Sequence, residues 1–234
     1  MSTTVDTTVN PIYLVGGGKG GVGKSVVALA LVDHLQRRGV NTVLVENDTS
    51  NPDVMRAVHD EIDCASFDLD TAGGWIDMVN YCDAHRDAVV VVSTAARNQD
   101  GVTRYGATLG STLDELGRRL VVFWVINRQR DSLELLRQFS DTFPDATVHV
   151  VRNGLYGTAE RFVLYHDSKL RKTIETKGRS LDFPELADRV ADDLRSQRLS
   201  VRKAVETLPI GQRAELLRWR ACYDVMFAQV TGDA

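Results

Sequence analysis

The chain has 234 residues, 43% of them apolar and 26% charged, with a net charge of −4. That balance is ordinary for a soluble globular protein and excludes disorder, collagen-like repeats and a coiled-coil rod. The length suits one α/β domain with a full core, so residues 11–234 are expected to form a single domain behind a loose tail at 1–10. The charge is uneven, −7 over Met1–Asp100 and +3 over Gly101–Ala234. Three cysteines (Cys64, Cys82, Cys222) lack metal-ligand spacing, and an odd number frames no disulfide set. Reduced thiols in a cytoplasm are the expectation.

In chain order, Met1–Asn10 is polar and Thr-rich, with neither the basic start nor the apolar stretch of a signal peptide. Short apolar runs follow at Ile12–Val15, Thr42–Val45, Ala88–Val92, Leu120–Ile126 and Thr147–Val151. Each is continuous rather than alternating, which predicts strands buried on both faces. The longest falls far short of the ~20 residues of a transmembrane helix. Between the first two, Ser25–Arg38 places Val27, Leu31, Val32 and Leu35 at helical spacing, with Gly39 as the stop. Strand, helix, strand at this spacing is a βαβ unit, and its repetition predicts a mostly parallel β-sheet flanked by helices on both faces. Arg130-Asp131-Ser132 begins another helix. Beyond Asn153 the pattern turns helical: Pro184–Arg198, a short helix capped by Ser200 and ending near Pro209, and a last helix over Ile210–Val230.

Directly after the first strand stands Gly16-Gly17-Gly18-Lys19-Gly20-Gly21-Val22-Gly23-Lys24-Ser25. From Gly18 to Ser25 it matches G-x-x-x-x-G-K-[ST], the phosphate-binding loop, in the required place between strand and helix. Glycines let successive N–H groups converge on phosphate oxygens, and the helix start adds its positive dipole end. The loop Gly18, Lys19, Gly20, Gly21, Val22, Gly23, Lys24 and Ser25 is therefore the candidate nucleotide cradle. Lys24 is suited to the β- and γ-phosphates, and the Ser25 hydroxyl to Mg²⁺.

Lys19 is a second cation that a plain phosphate loop does not need. Lys19 to Ser25 resembles the deviant Walker A motif of the ParA/MinD family of P-loop ATPases. That resemblance implies ATP and Mg²⁺ as cofactors, a nucleotide-sandwiched homodimer, and Lys19 reaching the partner's phosphates. The likeness continues at Glu46-Asn47-Asp48, where family members carry Asp-x-Asp. Asp48 maps onto the second aspartate, implying a role in holding Mg²⁺ and orienting the attacking water, while Glu46 keeps a carboxylate at the first. Thr49–Asp53 reads as a turn-rich switch loop. Ser93 stands where the family places a metal-water aspartate at the end of the third apolar strand. Its hydroxyl can hold a metal-bound water but offers the ion no charge. Asn127, after the fourth apolar run, resembles the adenine-contacting asparagine, with a turn or helix-start role as the alternative.

The resemblance implies an ATPase switch in plasmid or chromosome partition, or in positioning a DNA-transfer complex, with a partner protein that stimulates slow hydrolysis. An ATP-gated adaptor with little hydrolysis is the alternative that Ser93 motivates. A small-molecule kinase has no need of Lys19, and the cysteines do not fall where the iron-protein branch ligates its cluster. Two basic stretches, Arg152–Ser180 at +4 and Arg195–Arg220 at +5, could hold DNA without sequence preference. Arg195, Arg198, Arg202 and Lys203 are the candidate contacts, against the alternative of a solvated basic face. The Leu216/Trp219/Tyr223/Phe227 stripe of the last helix reads as core, and the acidic small-residue end disfavours membrane docking.

Overall fold

The computed structural model describes residues 10–18, 20–95 and 99–232. Seven strands form one parallel sheet: β1 (Ile12–Gly16), β2 (Thr42–Glu46), β3 (Cys64–Ser66), β4 (Val89–Ser93), β5 (Leu120–Ile126), β6 (Thr147–Asn153) and β7 (Ser180–Phe183). Their order across the sheet is β3-β2-β4-β1-β5-β6-β7. The chain winds outward from β1 in one direction and then in the other. Ligand crevices of such sheets open at the carboxyl ends of the strands beside this reversal.

The helices between the first four strands are α1 (Lys24–Arg37), α2 (Asp53–Val58) and α3 (Ala72–Ala84). After β4 come α4 (Gln99–Tyr105), α5 (Ala107–Gly110), α6 (Leu113–Leu116) and α7 (Arg130–Thr142). The remainder holds α8 (Val163–His166), α9 (Lys169–Ile174), α10 (Asp188–Ser196), α11 (Val201–Thr207) and α12 (Ile210–Thr231). The strand period of two sorts the core. Tyr13, Val15, Val91 and Phe123 face α1, α2 and α10–α12, whereas Ile12, Leu14, Val90 and Trp124 face α3 and α7. Fully burying such a side chain contributes about 1.5–3 kcal/mol, so strands filled on both faces favour this layering over a half-solvated sheet.

The five expected strands are present, each shifted or lengthened by no more than two residues at an end. The edge strands β3 and β7 were not expected. They are three and four residues long, and their part-exposed residues break the apolar run. The helix expected from Pro184 begins only at Asp188, because Pro184–Ala187 runs extended along α12. Asp53 opens α2 instead of extending the switch loop. Ser200 does cap α11, accepting from the Lys203 amide at 3.0 Å.

Arg118 fastens the amino-terminal edge of the sheet. It is 6% exposed. Its guanidinium donates to the carbonyls of Ala88 at 2.9 Å, Asn10 at 3.2 Å and Cys82 at 3.2 Å, and also to that of His85. Arg118→Met leaves four carbonyls short of a donor. It is expected to cost about 3 kcal/mol, which lowers Tm by roughly 6–12 °C in calorimetry for a chain of this size. A Tm within about 2 °C of wild type would show that water replaces the guanidinium.

Candidate functional site

Gly16 ends β1, and the loop from Gly17 to Gly23 turns the chain into α1. Gly23 occupies the helix N-cap at φ +102°, a conformation open to glycine, and a Cβ there would lie 2.2 Å from Asn153 Nδ2. Gly18 is required for a different reason: its Cβ would lie 2.2 Å from Leu135 Cδ1, so α7 presses directly on the loop. With no side chain capping α1, its first N–H groups face the cleft with the positive end of the dipole.

Lys24 is 7% exposed. Burial lowers its pKa to about 8, a shift that the nearby Asp48 carboxylate partly offsets. A buried ammonium at a helix N-terminus is a site built for anions. Across the cleft, Asp48 Oδ1 accepts from the Asn51 amide at 2.9 Å, and Asn51 Nδ2 donates to Asp53 Oδ2 at 2.7 Å. The switch loop is thereby folded onto the start of α2.

Glu46 sits beneath it, 1% exposed and level with Ser93 in the register. Its carboxylate accepts from the Asp48 amide at 3.3 Å, the Met55 amide at 3.4 Å and the Ser93 hydroxyl. Burial nevertheless pushes its pKa up to about 7. The neutral Ser93 thus stands beside a carboxyl supplied by the adjacent strand.

The cleft has a volume of about 570 Å³, the size of a small-ligand pocket. Lys24, Ser25, Glu46, Asp48 and Thr94 line its polar end, and Leu155, Phe183, Pro184, Leu186 and Trp219 its apolar end. Three bonds from α12 hold that apolar wall. Trp219 Nε1 donates to the Pro184 carbonyl at 2.9 Å, Arg218 to the Glu185 carbonyl at 3.0 Å, and Glu215 accepts from the Ala187 amide at 3.3 Å.

Asn153 joins the two ends. It is 5% exposed; its Nδ2 donates to the Val22 carbonyl at 2.8 Å while its Oδ1 accepts from the Leu155 amide at 3.0 Å. Tyr156 adds a second brace, its hydroxyl donating to the Gly21 carbonyl at 2.7 Å.

The residues singled out in the sequence divide clearly. Gly20, Gly21, Gly23, Lys24, Ser25 and Asp48 come together in the cleft, whereas Val22 is buried and presents its carbonyl to Asn153. Lys19 lies outside the described residues. Asn127 is not among the cleft-lining residues. Its Oδ1 accepts from the Gln129 amide at 2.9 Å and the Ser132 hydroxyl at 2.8 Å, which starts α7 on the opposite face of the sheet. The asparagine that does line the cleft, Asn153, carried the same signal, an amide after an apolar run. Only the strand order separates the two positions.

In the basic stretch, Arg195 pairs with Asp192, Arg202 with Glu206 at 3.6 Å and Lys203 with Asp60 at 2.9 Å. Arg198 sits in left-handed backbone at φ 54°. Leu216, Trp219, Tyr223 and Phe227 are all 0% exposed and belong to the core. Among the described residues no cluster of three or more His, Cys, Asp or Glu could hold a metal, and no helix is long and apolar enough to cross a membrane.

A parallel sheet, a glycine loop turning into a helix, and a buried lysine at that helix start define a P-loop nucleotide-binding protein. Residues 13–152 match the CobQ/CobB/MinD/ParA nucleotide binding domain family. The chain is also 57% identical over 210 residues to Protein MobD of Acidithiobacillus ferrooxidans, covering 89% of this chain and 92% of that protein. The chain therefore belongs to the CobQ/CobB/MinD/ParA family. The fold is shared with the MinD cell division protein of Aquifex aeolicus at TM-score 0.52 and 12% identity, over 89% of this chain and 95% of that one. The signal recognition particle receptor FtsY of Elizabethkingia anophelis, in complex with GDP, superposes at TM-score 0.52 and 17% identity, over 77% of this chain and 58% of that one.

Two outcomes follow from this geometry. Asn153→Ala frees the Val22 carbonyl and is expected to weaken ATP binding about tenfold, the equivalent of one lost brace. Gly23→Ala is expected to abolish binding, and to do so in the Asn153→Ala background as well, since removing the clash leaves φ at +102°. Calorimetric titration reads both, and rescue of Gly23→Ala would refute the backbone argument. The second outcome concerns pH. An anion in the cleft favours the charged form of Lys24, whose pKa burial lowers to about 8, so binding through Lys24 is expected to be coupled to proton uptake above that pH. Kd for ATP is expected to rise roughly tenfold from pH 7 to pH 9, and to stay flat in Lys24→Arg, whose guanidinium stays charged over that range. An equal rise in both would assign the pH dependence elsewhere.

Proposed function

We propose that the cleft binds Mg-ATP and that the chain is a slow, partner-stimulated ATPase switch working as a nucleotide-sandwiched dimer. The observation that carries this reading is the buried Lys24 ammonium at the start of α1, facing Asp48 across one cleft. In it, Lys24 holds the β- and γ-phosphates and the α1 N-terminus adds its dipole. The Ser25 hydroxyl and Asp48 carboxylate are hard oxygen donors lining the same cleft, a set that fits Mg²⁺. The ion would supply charge neutralisation at the phosphates. Asp48 also orients the attacking water, its loop held by Asn51 and by Glu46 beneath. Asn153 and the Leu155–Pro184 wall receive the base and ribose. Lys19 of a second copy contributes charge to the transferred phosphoryl group, so catalysis is positioning and electrostatics.

The switch is proposed to serve plasmid or chromosome partition or, with the likeness to Protein MobD as its support, positioning of a DNA-transfer complex; a cytoplasmic setting is part of the same proposal. Non-specific DNA binding would use Arg195, Arg198, Arg202 and Lys203. Three of these are already paired with carboxylates, so binding there must displace weak, solvent-screened surface ion pairs. A second reading, an ATP-gated adaptor, is favoured by one observation. The buried Glu46 carboxyl, with its pKa pushed up to about 7, replaces a fully ionised aspartate next to Ser93.

Phosphate release from Mg-ATP, with and without duplex DNA, separates the readings when Lys24→Ala serves as the blank. Release at least fivefold above the blank and rising with DNA is expected of the switch. Release at the blank level together with ATP binding abolished by Lys24→Ala would replace it with the adaptor. A phosphorylated small molecule in place of free phosphate would refute both.

A further inference from the structure

We propose that the cleft does not tell adenine from guanine: its apolar end holds a purine by packing, so that GTP binds as well as ATP. This rests on the reading above, in which Lys24 takes the phosphates and the Leu155–Pro184 wall the base. Telling the two purines apart means meeting the donors and acceptors in which their edges differ. Adenine carries an amino group beside a bare N1, whereas guanine carries a carbonyl beside an N1–H and a second amino group.

Leu155, Phe183, Pro184, Leu186, Trp219 and Asn153 line this end. Only the last two carry polar side-chain atoms, and both are committed elsewhere. Trp219 is fully buried, its Nε1 on the Pro184 carbonyl at 2.9 Å. Asn153 holds the Val22 carbonyl through Nδ2 at 2.8 Å and the Leu155 amide through Oδ1 at 3.0 Å. It cannot turn its amide to a base edge without releasing one or the other. The second hydrogen on Nδ2 is a donor, and both purines present the same acceptors to it, N3 and N7.

The backbone of the wall is drawn away as well. Arg218 takes the Glu185 carbonyl and Glu215 the Ala187 amide. The Phe183 carbonyl and the Glu185 amide pack on Gly154, where a Cβ would come within 2.8 Å and 2.9 Å of them, and Pro184 has no N–H to give. What remains is apolar surface: Leu155 is 52% exposed and Pro184 half-buried, one after β6 and the other after β7, which are neighbouring strands. The next lining residue along the chain is Asp188, exposed at the start of α10. A site that hydrogen-bonds a substrate group rejects the analogue lacking it by about 10⁴–10⁵-fold, whereas an apolar pocket resists a polar change by only about 10²-fold at most.

Calorimetric titration of the full chain with Mg-ATP, Mg-GTP and magnesium tripolyphosphate tests the proposal. The two nucleotides are expected to agree in Kd within about tenfold, and Lys24→Ala to abolish the binding of both. Tripolyphosphate brings nothing to the apolar end and is expected to bind at least about tenfold more weakly than either nucleotide. Asn153→Ala is expected to weaken ATP and GTP by the same factor. A preference for ATP above about tenfold, or an Asn153→Ala chain that loses ATP alone, would overturn the proposal and leave the nucleotide cleft standing. An equal preference for GTP would overturn it too, and would trace base reading to Asp188. Tripolyphosphate binding as tightly as ATP would show that the apolar end holds no base, and binding of neither nucleotide would sink the nucleotide reading and this proposal together.

Discussion

Burial of the Lys24 ammonium at the amino end of α1 is the constraint around which the molecule is arranged. A cation drawn out of water at the positive end of a helix is held there against desolvation, which lowers its pKa, while the Asp48 carboxylate partly offsets that shift. The fold tolerates it because the surroundings leave the loop little freedom. Leu135 presses on Gly18, Asn153 takes the Val22 carbonyl, and Tyr156 takes that of Gly21. These braces come from α7, from the end of β6 and from the segment after it, far along the chain from the loop itself. The position of the loop is therefore a product of the whole sheet.

The same parallel geometry accounts for the unusual placement of acid groups. Strands β2 and β4 are neighbours, with Glu46 and Ser93 paired in register. A longer side chain on β2 can thus reach the position from which a shorter one on β4 is missing. The reach has a consequence for charge. An aspartate at a strand end beside solvent stays ionised, whereas Glu46 lies at 1% exposure and shares its oxygens among the Asp48 amide, the Met55 amide and the Ser93 hydroxyl. Its bonds to the Asp48 and Met55 amides make it a brace for the Asp48 loop and the start of α2.

How much of this could be read from the residues depended on where the information lay. The phosphate loop and α1 were legible because glycine spacing, the lysine and the 3.6-residue pattern are all local. The central strands were legible because burial on both faces writes a continuous apolar run. Cys64–Ser66 and Ser180–Phe183 left no such run, being short and at the sheet edges. Asn127 and Asn153 looked alike in sequence, each an amide after an apolar strand. What separates them is tertiary: one starts a helix on the α3/α7 face, the other closes on the loop beneath α1. Pro184–Ala187, where the sequence predicts helix, is extended for a related reason, held by Glu215, Arg218 and Trp219 about thirty residues away.

Those three bonds also make α12 more than a packing element. On its inner side Trp219 is part of the cleft wall, fully buried, and bonded to the Pro184 carbonyl. On its outer side the same rigid helix carries Ile210, Leu217 and Val225 into solvent. Packed interiors do not deform continuously, and a helix held by large aromatic side chains moves as a unit. The bond between Trp219 Nε1 and the Pro184 carbonyl therefore makes the inner side of α12 and the cleft wall one packed unit, so the shape of the apolar end of the cleft is set by a helix that begins about twenty-five residues after that wall.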